Sequence, residues 1–196
     1  MPSAAILSGG RASRLGGRDK GAMLVGGRTI RERQIAELGG VARDIMIVGG
    51  PNEAPPAGVR WIPDRLAGLG PLAGLDAALR AAAEEPVIVL ACDMPYVRAA
   101  LLRALLGWLG DFDAVVPRTE RGYHPLCAVY SRRCLPAVTE ALAARRLRLI
   151  DLLKRIRVRD VAGPDIEAFG PRTELLANIN TPADLRGLDA LSGHEA

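Results

Sequence analysis

Aromatic side chains are scarce in this sequence: Phe, Trp and Tyr together make 4% of 196 residues. A surface that stacks single-stranded bases needs more of them. Lysine is scarcer still, since only Lys20 and Lys154 stand among 24 arginines. The arginines are scattered rather than gathered in a stripe, which argues against an arginine-rich RNA-binding module. The net charge of +4 suits a small anionic substrate. Cys92, Cys127 and Cys134 are odd in number and lack CxxC spacing, against a disulfide framework or a zinc site and in favour of a reducing cytoplasm. No apolar run has the length of a membrane span, and no basic segment followed by an apolar one opens the chain, so neither a membrane anchor nor a secretory leader is expected. No Ser/His/Asp order emerges either, and His194 lies in the tail.

Short apolar runs alternate with helix-like patterns. The runs are Ala4–Leu7, Ile45–Val48, Val59–Ile62, Val87–Ala91, Ala114–Val116 and Leu126–Val129. Most are continuously apolar, as strands covered on both faces should be. Between them, Leu72, Leu75 and Leu79 recur at helical spacing behind Pro71, which suits a first helical position. Leu101, Leu102, Leu105, Leu106 and Leu109 repeat the pattern, as do Val138, Ala141 and Leu142, then Leu149, Leu152, Leu153 and Ile156. Thr181, Pro182 and Asp184 read as N-cap, N1 and N3 of a last helix. The alternation predicts an α/β protein: a three-layer αβα sandwich with a mostly parallel sheet, in one domain over residues 1–196. In such a sheet ligands bind beyond the carboxyl ends of the strands. The residues just after each apolar run are therefore the candidates.

The first run leads into "LSGGRASRLGGRDKGAM", Leu7 to Met23. This is not a Walker A loop, because no Gly directly precedes Lys20 and Gly21 follows it; nor does it contain GxGxxG. What remains is a long glycine-rich turn carrying Arg11, Arg14, Arg18 and Lys20. Glycines let backbone N–H groups close on an anion, and the cations match a phosphate chain. A solvated surface loop would read the same, except that Lys20 stands in a chain that almost always chooses Arg. A compact ammonium serves where a planar guanidinium does not fit. Asp93 falls two residues beyond Val87–Ala91, where a carboxylate can hold Mg²⁺ beside phosphate oxygens or simply cap the turn before Pro95. Beside a phosphate loop on the first strand, the metal reading is the better one. Cys92 reads as a small core residue rather than a nucleophile.

Asp64 follows Val59–Ile62, and Gly68, Gly70 and Gly74 surround the next helix start; spacing alone does not separate a plain strand–turn–helix junction from a ribose or base site. His124 before Pro125 fits a turn residue, a general base or a phosphate ligand. Asn178 and Asn180 share a face if their segment is extended, and could bind a polar group or serve as turn residues.

Taken in order, these segments resemble the molybdenum cofactor guanylyltransferase family. The correspondence runs through Leu7-Ser8-Gly9-Gly10, Arg14-Leu15-Gly16-Gly17, Asp19-Lys20-Gly21, Asp64 ahead of Gly70-Pro71-Leu72-Ala73-Gly74, Cys92-Asp93-Met94-Pro95, His124-Pro125 and Asn178-Ile179-Asn180-Thr181-Pro182. It spans nearly the whole chain. The first motif is fairly specific, C-D-x-P alone is weak, and the ordered set is strong. The resemblance implies a Rossmann-like nucleotidyltransferase that moves GMP from GTP to the terminal phosphate of molybdopterin and releases pyrophosphate.

By position it implies that Leu7, Ser8, Gly9, Gly10 and Lys20 bind GTP, with Arg14 and Gly17 in the phosphate cradle. It places Asp64 on the nucleoside side, Asp93 on Mg²⁺ and GTP, and Asn178, Asn180 and His124 toward the pterin. Lys20, Asp93 and Arg14 would carry the catalysis. Ser8 and Leu15 depart slightly from the family's usual Ala and Met. Gly49 stands where some relatives have a nucleotide-contacting Asn, so that contact is lost or made by backbone. The implied partners are GTP, molybdopterin, and other cofactor-biosynthesis proteins or apo-molybdoenzymes, with no nucleic acid and no membrane. The rivals are a molybdenum cofactor cytidylyltransferase and, from another class, a non-catalytic GTP- or pterin-binding carrier.

Overall fold

The computed structural model describes residues 1–8, 20–50, 54–64, 66, 68–179 and 184. Its centre is strand β1 (Ser3–Leu7), every residue of which is buried. A short 3₁₀ turn (Lys20–Ala22), a hairpin of β2 (Leu24–Val25) and β3 (Arg28–Thr29), and helix α1 (Ile30–Gly39) follow. The chain then gives β4 (Asp44–Val48), β5 (Val59–Ile62), α2 (Pro71–Ala81), β6 (Val87–Ala91) and α3 (Ala99–Gly107). Last come β7 (Ala114–Thr119), β8 (Gly122–Tyr123), β9 (Cys127–Tyr130), α4 (Leu135–Ala143), α5 (Leu149–Leu153), β10 (Val158–Val161), α6 (Gly163–Glu167) and α7 (Arg172–Leu175).

The main sheet runs β10-β7-β9-β6-β1-β4-β5, with β8 paired to β7. Neighbours along this order pair in parallel except around β9, which is antiparallel to both β6 and β7. Alternation along each strand splits the core into two layers. Ala4, Ile6, Ile88 and Leu90 face Leu38 of α1 and Leu101, Leu102 and Leu105 of α3. Ala5, Leu7, Val87 and Val89 face Leu72, Leu75 and Leu79 of α2, Val138 of α4 and Leu152 of α5. The expected αβα sandwich with a mostly parallel sheet is thus observed.

The six expected strands and the helices over the four leucine-rich patterns all occur, most with ends displaced by a few residues. The run that begins at Ala114 extends to Thr119, the run Leu126–Val129 becomes the strand Cys127–Tyr130, and α3 and α5 stop before Leu109 and Ile156. Helix α1 begins in a reciprocal cap: Thr29 Oγ1 accepts from Glu32 N at 3.1 Å, and Glu32 Oε2 accepts from Thr29 N at 2.7 Å. Pro71 opens α2 as expected. Of the last expected helix only Asp184 is described, in helical conformation; Thr181 and Pro182 lie outside the described residues. Among the described residues no helix is long and apolar enough to cross a membrane.

Candidate active site

β1 is the topological switch point. The chain adds β4 and β5 on one side of it and β6 on the other. Leu7 sits in register with Val48 and with Ala91, so Ser8, Gly49 and Cys92 leave the sheet at one level. Backbone bonds fix these exits: Ser8 N donates to Val48 O at 2.8 Å and Cys92 N to Leu7 O at 3.2 Å. A crevice at the carboxyl ends of a doubly wound sheet is where a ligand is expected.

Lys20 and Asp93 meet across that crevice. Lys20 Nζ lies 3.2 Å from Asp93 Oδ2, joining two segments 73 residues apart. The Asp93 side chain is 12% exposed and that of Lys20 27%. A carboxylate this deep is costly unless paired, and the ammonium supplies the pair. The other oxygen, Asp93 Oδ1, is buried and has no hydrogen-bond partner among the described residues. An unused carboxylate oxygen beside a cation, at a strand exit, is a fitting ligand for Mg²⁺, which commonly takes one or two carboxylates and completes its shell with phosphate and water. The described residues contain no group of three or more His, Cys, Asp or Glu that could cage a metal alone. A site of this kind would need the substrate's oxygens.

On the β4–β5 side, Gly49 N donates to Ile62 O at 2.9 Å, and Trp61 Nε1 donates to Gly49 O at 3.1 Å. Gly49 and Gly50 have φ of 73° and 76°. At Gly50 a Cβ would lie 2.7 Å from Ser8 Oγ and 2.8 Å from Ser8 O. Only glycine lets this turn close on Ser8. Ser8, Gly49, Trp61 and Arg31 line a small recess there. Asp64 also follows its strand, and its Oδ1 accepts from Leu66 N at 3.1 Å, so half of its carboxylate holds its own turn.

On the other side, the His124–Pro125 turn packs beside β6, since Ala91 N donates to Leu126 O at 2.8 Å. Tyr130 OH donates to Pro125 O at 2.8 Å and pins that turn from within the core. His124 Nε2 lies 3.0 Å from Thr119 Oγ1. Burial, helped by the nearby Arg121 cation, lowers the His124 pKa below 6.5, which favours a neutral ring at neutral pH. Burial pushes the Cys127 thiol up to about 12, so it is a core group and no nucleophile.

The late segment reaches the same place: Ile179 N donates to Asp93 O at 2.8 Å, and the Ile179 side chain is buried with Val25 and Ile30. Asn178 beside it is exposed. The structure therefore gathers Leu7, Ser8, Lys20, Gly49, Asp64, Asp93, His124 and Asn178 at one end of the sheet. Gly9, Gly10, Arg14, Gly17 and Asn180 lie outside the described residues. Gly50, Trp61 and Gln34 of α1 belong to the site's framework and are not among the residues expected from the sequence. The Gly-Gly doublet and the Ile30–Gln34–Leu38 stripe, with one amide among apolar residues at i+4 spacing, are the signals the sequence offers for them.

The profile of the family described as "MobA-like NTP transferase domain" matches residues 4–158. A protein of Desulfosudis oleivorans named molybdenum cofactor guanylyltransferase is 33% identical over 190 residues, covering 94% of this chain and 93% of that one. A Pelotomaculum thermopropionicum protein named "Probable molybdenum cofactor guanylyltransferase" is 37% identical, covering 92% and 88%. Among solved structures, molybdopterin-guanine dinucleotide biosynthesis protein A of Archaeoglobus fulgidus superposes with a TM-score of 0.80 at 24% identity, over 98% of this chain and all of that one. The 2-C-methyl-D-erythritol 4-phosphate cytidylyltransferase of Thermus thermophilus gives 0.71 at 19%, over 98% of this chain and all of that one, which speaks for the fold. The switch-point crevice, the Lys20–Asp93 pair and the near full-length likeness agree: the chain belongs to the MobA-like NTP transferase family, alongside proteins named molybdenum cofactor guanylyltransferase.

Proposed function

We propose that this protein transfers GMP from GTP to the terminal phosphate of molybdopterin, and that the reaction depends on Mg²⁺. The observation that carries the reading is the Lys20–Asp93 pair, closed over 3.2 Å at the switch point of a chain akin over nearly its whole length to guanylyltransferases. An oxygen of the pterin phosphate forms a bond to the α-phosphorus of GTP. The bond from that phosphorus to the bridging oxygen breaks, and pyrophosphate leaves with the electron pair.

The attacking group is already an anion, so no general base is required. The protein's task is to hold two anions in line and offset their charge. Lys20 sits against the triphosphate, with Arg14, Gly9, Gly10 and Gly17 assigned to the same cradle by their place in the sequence. Asp93 would hold Mg²⁺, and the ion when bound would supply charge neutralisation to the phosphates. Leu7, Ser8, Gly49, Trp61 and Asp64 border the nucleoside side. His124, Asn178 and Asn180 border the acceptor side, where the neutral His124 serves as a hydrogen-bond partner rather than a fixed charge. The location would be cytoplasmic, with molybdopterin delivered and the product taken up by other proteins of the cofactor's assembly.

The test is a panel of GTP, CTP, ATP and UTP, each incubated with molybdopterin and Mg²⁺, with the product weighed by mass spectrometry. The expected product is the guanine dinucleotide. A cytosine product would turn the assignment to a cytidylyltransferase, and GTP binding without pyrophosphate release in any mixture would turn it to a carrier.

A further inference from the structure

Asp93 is useful only if its turn is aimed. The side chains that hold it come from helix α1, more than fifty residues earlier in the chain. Gln34 is fully buried. Its Nε2 donates to Ala91 O at 2.6 Å and to Met94 O at 3.1 Å, the two carbonyls that bracket Cys92–Asp93. One position before it, Arg33 Nε donates to Pro95 O at 3.2 Å and Arg33 stacks over the Tyr96 ring at 5.6 Å. One turn after it, Glu37 Oε2 accepts from Ala99 N at 2.6 Å. Three side chains of one helix thus grip the backbone from residue 91 to residue 99. Each bond is to main chain, so the gripped sequence need not show it.

A position with Ile30 and Leu38 one turn away on either side would ordinarily be apolar. A glutamine there costs desolvation, and Gln34 Oε1 finds no partner among the described residues. The compensation lies in the two carbonyls where β6 ends, both of which the Gln34 amide takes. The start of the same helix is bonded back to the segment that carries Lys20: Ile30 N donates to Met23 O at 2.9 Å, and Met23 N to Lys20 O at 3.1 Å. One rigid helix therefore ties the Lys20 turn to the Asp93 turn. It sets the separation of the two charged groups that the reaction uses.

We propose that Gln34 is a positioning residue for Asp93, with Arg33 and Glu37 holding the outer part of the same segment. The inference deepens the transfer reaction proposed above and rests on that reading of Asp93. Gln34→Met keeps the length of the side chain and removes both donors. It is expected to lower kcat about ten- to a hundred-fold, the usual effect of losing a group that orients a ligand. Affinity for GTP measured by calorimetry without metal should change less than about two-fold, because the phosphate loop and nucleoside recess are untouched. The gain in GTP affinity on adding Mg²⁺ should be largely lost.

This last readout separates positioning from packing, because a merely structural glutamine would lower the thermal midpoint and leave the metal-dependent gain in the folded protein as it was. Retention of both the gain and kcat within about two-fold, below the variant's melting temperature, would overturn the proposal. If Gln34→Met does not fold, Arg33→Met reads the same device from its outer end: a smaller loss of kcat and of the metal-dependent gain supports it, and no loss of either defeats it. A wild-type protein that shows the metal-dependent gain but transfers no nucleotide would overturn the transfer reaction while leaving the positioning role standing.

Discussion

At the scale of single residues, the site works with few charges. Lys20 is one of two lysines among 26 basic side chains, and it meets a carboxylate at the switch point that keeps a buried oxygen without a partner among the described residues. Removing either member has different consequences. In the proposed reaction Lys20→Ala takes away a charge assigned to the triphosphate and should cost about one to three powers of ten in kcat, as losses of single electrostatic donors do. It also strips Asp93 of this cation, so the variant should bind Mg²⁺–GTP with altered affinity as well; steady-state kinetics with titrated metal separates the two. Asp93→Ala should abolish metal-dependent turnover yet keep the fold, since the main chain around Asp93 is held by Gln34 and Ile179 rather than by the Asp93 carboxylate. Circular dichroism at wild-type strength with activity near the blank is the expected pair of results. Activity close to that of the wild type would remove Asp93 from the mechanism.

At the scale of elements, what the sequence discloses follows from how local each cause is. The run Val87–Ala91 becomes a strand with unchanged bounds, and α2 starts at Pro71, because a continuous apolar run and an N1 proline act within a few residues. The strands β2, β3, β8 and β10 carry no such signal. The first three are two residues long, and β10 reads Val-Arg-Asp-Val with two exposed charges at the sheet edge. Asp93 and Asp64 are legible as candidates because of their places after strands, and Lys20 because it is a lysine in a glycine-rich loop of an arginine-rich chain. Gly50 is not, since its constraint is the approach of Ser8, far away in the chain. Gly50→Ala should therefore destabilise by about 1–3 kcal/mol through a strained positive φ. It should also raise the KM for GTP by displacing Ser8, which urea unfolding and kinetics would record separately. The β7–β9 turn offers a pH test. His124 has its pKa depressed in the folded state by burial and by Arg121, so its contribution to stability is complete above the ordinary value of 6.5 and is lost as pH falls toward the folded value. The urea midpoint should fall between about pH 7 and pH 5, and His124→Asn should flatten that slope.

At the scale of the whole molecule, the two ends of the sheet do opposite work. The carboxyl ends of β1, β4, β5 and β6 leave turns, a glycine at positive φ and a partly unpaired carboxylate, which is what a binding crevice requires. The amino ends of the same strands are tied shut. Asp44 at the start of β4 accepts from Ser3 Oγ at 2.7 Å and from Ala83 N at 2.9 Å, and it takes both arms of Arg60 at 2.8 Å. Ser3 Oγ in turn accepts from Glu84 N at 2.9 Å, and Arg60 reaches Ala81 O at 2.9 Å. Burial alone would raise the Asp44 pKa, but the bonds from Arg60, Ala83 and Ser3 outweigh it and hold the carboxyl below its ordinary 3.8. The stability it contributes is present above that value and is lost as pH falls through the lower folded one. Asp44→Ala strips partners from Ser3 and from the Ala83 amide just after α2, and should cost about 1–3 kcal/mol in urea unfolding at neutral pH. The Arg60 arm adds little to this, because that side chain is 45% exposed and its ion pair is screened. Since the network lies at the opposite end of the strands from Lys20 and Asp93, kcat and KM should stay at wild-type values while the protein is folded. If Asp44→Ala instead lowered kcat at full folding, the two ends would be coupled through β1 and β4, and the division of labour along the sheet would be wrong.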